Sequence, residues 1–216
     1  MSIFSENSPL MRFLGKMGDF MILNLVFVFS AFPLFTLGAS LTALYRVTIL
    51  RAKGDDSSIP RLFWKAFRTN FRQATTIELI MLFFAALVCM DLYLLYTGIA
   101  GESLLIVILC LMPLAIFLMI HSYVYPLLAW FENTVGHTIK NAFMLAIGNF
   151  PTTLAVTVLN LSPVIILAIS RELFQKSVVL WVLLGFAVIA WINERLLHRV
   201  FKLFIPGNGE ETVISE

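Results

Sequence analysis

Residues 20–45 contain no charged side chain, and four further stretches of the chain are nearly as apolar. A bilayer core about 30 Å thick is crossed by roughly 20 helical residues. Lipid cannot satisfy exposed backbone N–H and C=O groups, so runs of this kind fold as helices. Residues 20–44, 75–97, 103–130, 141–170 and 177–193 meet the length requirement. The expected fold is an all-α membrane protein, a bundle of about five transmembrane helices forming a single domain over residues 1–216, with kinked spans. Composition agrees: 60% of residues are hydrophobic and 13% charged, against about 45–50% and about 25% in soluble domains. Arg12 and Lys16 precede the first run as they would in a secretion signal. That run outlasts a signal core of about 7–15 residues, so it reads as a retained first helix.

Charge placement predicts orientation. Eleven of the fifteen Lys and Arg residues fall between the first two spans, between the third and fourth, or after the fifth. Four lie on the other side: Arg12, Lys16, Arg171 and Lys176, with none in the tight turn at 98–102. The positive-inside rule then places the N-terminus outside and the C-terminus in the cytoplasm. A re-entrant span would reverse the parity of what it separates while the basic loop stays inside.

The long basic loop holds the sharpest pattern. After Ser58 and Pro60, helix-starting residues, cations recur at Arg61, Lys65, Arg68 and Arg72, with Leu62, Phe63, Ala66, Phe67, Phe71 and Ala74 on the complementary stripe. This predicts an amphipathic cytoplasmic helix over 59–74. Two readings stand side by side. Its greasy face can lie in the interface while the cations meet anionic headgroups, or the helix can dock a protein partner.

Glu78 and Asp91 lie within the second apolar run, where an ionisable group is costly unless paired or hydrated and is a functional candidate by default. Glu78 is near the cytoplasmic entry and Asp91 toward the outer end. His121 in the third span is a candidate relay partner or a hydrogen-bonded packing residue. Prolines at 33, 113, 126, 151 and 163 free backbone carbonyls inside the spans. The break at Pro33 is followed by small and hydroxyl residues suited to close helix approach. Broken helices of this kind also form substrate sites in transporters. Cys89 and Cys110 sit in apolar stretches and make no disulfide framework. No phosphate-cradling glycine loop, metal-spaced histidine pair or serine elbow is present, so neither catalytic residues nor a cofactor or metal is expected. The basic residues alternate with aromatics instead of forming a soluble patch, which argues against nucleic acid.

The segments Pro33-Leu34-Phe35-Thr36-Leu37-Gly38-Ala39-Ser40-Leu41-Thr42-Ala43-Leu44-Tyr45, Lys65-Ala66-Phe67-Arg68-Thr69-Asn70-Phe71-Arg72-Gln73-Ala74-Thr75 and Asp91-Leu92-Tyr93 together resemble the YesL-like family of bacterial membrane proteins. Tyr125-Pro126-Leu127-Leu128-Ala129 and Lys140-Asn141-Ala142-Phe143 fit as well. The family has no established activity and no defined site residues. The resemblance implies association with carbohydrate uptake, because members are often encoded beside sugar ABC-transporter components. The functional expectation is a non-enzymatic accessory protein of an ABC-type importer, contacting it through the basic helix and the loop at 131–140. The alternative is a small stand-alone transporter or channel using Asp91, His121 and the broken first helix.

Overall fold

The computed structural model describes residues 9–98 and 103–202. The expected turn at 98–102 lies, after Gly98, outside the described residues, as does the side chain of Arg12. The described chain contains no strand. Its helices are α1 (Pro9–Ala31), α2 (Leu37–Ala52), α3 (Ile59–Tyr96), α4 (Leu104–Trp130), α5 (Val135–Gly148), α6 (Phe150–Ile169), α7 (Arg171–Leu180) and α8 (Phe186–Phe201). Five helical segments are long and apolar enough to cross a membrane: Phe13–Ala31, Ile59–Tyr96, Leu104–Trp130, Phe150–Ile169 and Arg171–Phe201. This is the all-helical membrane bundle expected from the sequence.

The first span differs from expectation. Residues 20–44 do not form one helix; the chain breaks at Pro33 and turns back. Proline has no N–H to give the Phe29 carbonyl and its ring crowds that carbonyl, so α1 stops at Ala31. A single 3₁₀ turn, Leu34–Thr36, follows. The Thr36 hydroxyl lies 2.7 Å from both the Ser30 and Pro33 carbonyls and closes the turn. α2 then runs back along α1 until Arg51 meets Asp19 at 3.1 Å. The hairpin tip carries the exposed side chains of Phe32, Leu34 and Phe35. Its two open ends share one pole of the bundle. The expectation of an N-terminus across the membrane from the basic loop counted a single helix over residues 20–44; the chain has a hairpin there, with Asp19 of α1 beside Arg51 of α2.

α3 is one continuous helix of 38 residues, about 57 Å long, which exceeds the roughly 40–45 Å of a bilayer with its headgroups. Its first half is the basic amphipathic segment and its second half the apolar span. Part of the apolar stripe is turned inward, while Phe67 and Phe71 stay half-buried. Leu62, Phe63, Ala66 and Ala74 are buried, because α2 runs antiparallel to this half and covers it.

Gly38 sets how closely α2 and α3 approach. A Cβ there would stand 2.8 Å from the Ala74 carbonyl oxygen and 2.9 Å from both Glu78 Cβ and Tyr125 Cε1. Beyond this level α3 and α4 continue as a hairpin with few buried residues, and Phe84 meets Phe117 there. The remaining spans are also interrupted. The expected fourth span, 141–170, is split at Asn149, where Pro151 opens α6. The expected fifth, 177–193, is part of a longer rod in which a π-turn, Trp181–Gly185, joins α7 to α8.

Candidate functional site

Two places gather the residues that the sequence singled out. The first is at the basic pole. Arg46 on α2 donates through Nη1 to the Ala129 carbonyl at 2.9 Å, satisfying one of the carbonyls that a helix end leaves without a partner. The guanidinium also opposes the negative end of the α4 dipole there. Lys53 lies over the Trp130 ring at 4.9 Å from its centroid. Gln73 on α3 donates to the Asn133 carbonyl in the loop after α4. These ties hold α2 and the basic half of α3 against the end of α4, leaving a cleft of about 310 Å³ among them. Arg46, Asp55, Lys65, Asn70, Trp130 and Glu132 are among its lining residues.

Arg61, Lys65, Arg68 and Arg72 are all exposed on the same stretch. Among the described residues none of the four forms a salt bridge. A groove lined by Pro60, Arg61, Trp64, Lys65 and Arg68 runs along the outer side of α3. The α2–α3 loop is ordered by Asp55, whose carboxylate accepts from the Ser57 backbone N–H at 2.9 Å. Hydrogen bonds from Ser57 hold the Asp55 carboxyl below its ordinary range, helped by the nearby charges of Arg51 and Lys65.

The second place is inside the bundle. Glu78 is only 3% exposed and accepts a hydrogen bond from the Tyr125 hydroxyl. The Tyr125 ring stands edge-on to His121, with centroids 5.3 Å apart. His121 also faces Phe117 at 5.6 Å. The structure therefore brings Glu78 and His121 into one group through Tyr125. Asp91 is not part of it, being thirteen residues further along α3, about 20 Å away by helix rise, and without an ion pair or hydrogen bond among the described residues.

Tyr125, Tyr45, Asn193 and Asn160 were not singled out as site residues by sequence reasoning. Asn193 donates to the Tyr45 hydroxyl at 3.1 Å and to Asn160 Oδ1 at 2.7 Å, while its own Oδ1 is buried without a partner. The only signal for this set was the presence of polar residues in apolar runs. Their partners come from other spans, and one sequence does not pair spans. Among the described residues no three His, Cys, Asp or Glu side chains gather as a metal site.

No curated protein and no solved structure matches the chain. Residues 20–92, about a third of the chain and the part that forms the second half of α1, all of α2 and most of α3, match the model of a family described as a protein of unknown function, DUF624.

Proposed function

We propose that the protein is a non-enzymatic accessory component of the bacterial cell membrane that docks a subunit of a carbohydrate ABC-type uptake system at its basic pole. The observation that carries this reading is the cleft itself. The basic helix and the segment after α4, two separate contact surfaces in the sequence, border one cavity of about 310 Å³. With part of the greasy stripe of α3 turned into the bundle, its cations are left as an outward-facing charged surface, suited to a carboxylate-bearing protein face.

The pole faces the cytoplasm under the positive-inside rule. Folding α1 back brings its base, with Arg12 and Lys16, to the same pole as the basic loop. α8 ends there too, where Phe201 packs on Trp130 and Phe131. Only Arg171 and Lys176 remain at the opposite end, so both ends of the described chain are cytoplasmic on this reading.

A tagged protein extracted in mild detergent from cells growing on a polysaccharide should bring down a permease, ATPase or sensor subunit. The Arg61→Glu/Arg68→Glu variant should lose it. Wild-type protein that retains no such subunit contradicts the proposal.

A second reading, a small transporter, draws on the Glu78–Tyr125–His121 group, since intramembrane ionisable residues mark solute or proton paths. Purified protein in liposomes should then move a sugar or an ion, and Glu78→Gln should slow that movement.

A further inference from the structure

The α1–α2 hairpin, α4, α6 and α8 line a second, partly open cavity of about 180 Å³, distinct from the basic cleft. Its walls are apolar, formed by Phe27, Leu41, Phe186, Ile189 and others, and its polar lining groups are Tyr45, His121, Tyr125 and Asn160. No Lys, Arg, Asp or Glu lines it. A volume of about 150 Å³ is enough for a benzene-sized ring.

Two of the polar groups have capacity to spare. Among the described residues His121 forms no hydrogen bond, only ring contacts with Phe117 and Tyr125. Tyr45 accepts from Asn193, and its own O–H has no described acceptor. Asn160 and Tyr45 are held in place by Asn193, and Tyr125 by Glu78, so the lining is set before anything enters.

We infer that this cavity is a binding site for a small neutral molecule with a hydroxyl on a ring, of the phenol class. A neutral imidazole offers one donor and one acceptor, and a hydroxyl supplies the complement of each. Tyr45 donates to the ligand oxygen while that hydroxyl donates to His121. Charged ligands are disfavoured because no opposite charge lines the cavity and desolvation is uncompensated. The site stands apart from the docking surface, and its failure leaves that proposal untouched.

The test uses 4-fluorophenol as the probe and fluorobenzene as its apolar counterpart, followed by fluorine NMR on the full chain in lipid nanodiscs, with empty nanodiscs subtracted. Wild-type protein should bind 4-fluorophenol saturably, and His121→Phe, which keeps the ring contacts, should bind it about two- to tenfold more weakly, as expected for one lost hydrogen bond. Fluorobenzene should not distinguish the two proteins. Far-UV circular dichroism melting checks that the variant is folded. If it is not, Ile189→Trp, which fills the cavity from the α8 side, should abolish saturable uptake. Equal 4-fluorophenol binding by wild type and a folded variant, or no saturable binding by wild type, overturns the inference.

Discussion

Asp19 Oδ2 lies 3.1 Å from the Arg51 guanidinium, tying the middle of α1 to the end of α2. Both side chains are partly exposed, so the bridge itself is worth little, about 0–1 kcal/mol. It records a fold-back more than it causes one. Asp19→Asn should lower the melting temperature slightly, and adding salt should narrow the difference from wild type. A loss as large as that of a buried core truncation would mean that the hairpin depends on this contact.

Gly38 should tolerate no side chain. With the Ala74 backbone, Glu78 and Tyr125 all inside 3.0 Å of a built Cβ, Gly38→Ala should cost about 1–3 kcal/mol by overpacking. Gly15 has nothing within 4 Å, so Gly15→Ala should be neutral or stabilising by up to about 1 kcal/mol through helix propensity. Thermal melts of both variants in one detergent compare them directly.

Asn24 should be the least replaceable polar residue of α1. Fully buried, it donates to the Trp181 and Val182 carbonyls at 2.9 and 2.6 Å and accepts from the Ala187 N–H at 2.9 Å. These backbone groups lie in the π-turn at 181–185 and the first turn of α8, and the carboxamide bonds all three. Asn24→Leu leaves them unpaired at a cost of about 1–3 kcal/mol, and hydrogen exchange should quicken at 181–187 before it does in α4.

Tyr125→Phe should be worse than the double variant Tyr125→Phe/Glu78→Leu. The single change leaves a buried carboxyl without its donor, a penalty of about 1–3 kcal/mol, while removing both partners trades the pair for apolar packing. A double variant that is no more stable than Tyr125→Phe would show that Glu78 has another partner.

Acid should loosen the α2–α3 loop. The Asp55 carboxyl is held below its ordinary value, chiefly by the Ser57 hydroxyl and backbone N–H. Its contribution to loop order is therefore present above the unfolded value of about 3.9 and is lost as the pH falls through the lower folded value. Ser57→Ala should move the Asp55 titration up toward the ordinary carboxylate range, as read by carbon NMR of labelled aspartate.

The helical class, the apolar second half of α3 and the cationic row from Arg61 to Arg72 were legible in the sequence because each is local. A run of apolar residues or a repeat of cations states its own structure. Pro33 was legible as a break, but whether the chain bends or folds back there depends on what α2 packs against, and the covering of Phe63 depends on the same partner. The amphipathic stripe could not say whether lipid or protein lies opposite it. Glu78 and His121 were visible as buried ionisable groups. The Tyr125 hydroxyl that joins them comes from α4, 47 residues from Glu78, and Asn24 meets its partners 157 or more residues away. Asp91 was flagged by the same rule as Glu78, and the fold leaves it apart.

The one-sided pole is the claim on which the account turns. Single cysteines at Lys16, Ser57 and Lys176, in a background with Cys89 and Cys110 replaced by serine, can be probed in intact cells with a membrane-impermeant maleimide. The hairpin predicts that positions 16 and 57 are both shielded until the membrane is opened and that position 176 is labelled from outside. Labelling of position 16 in intact cells while position 57 stays shielded would contradict it, because α1 would then cross the membrane instead of folding back.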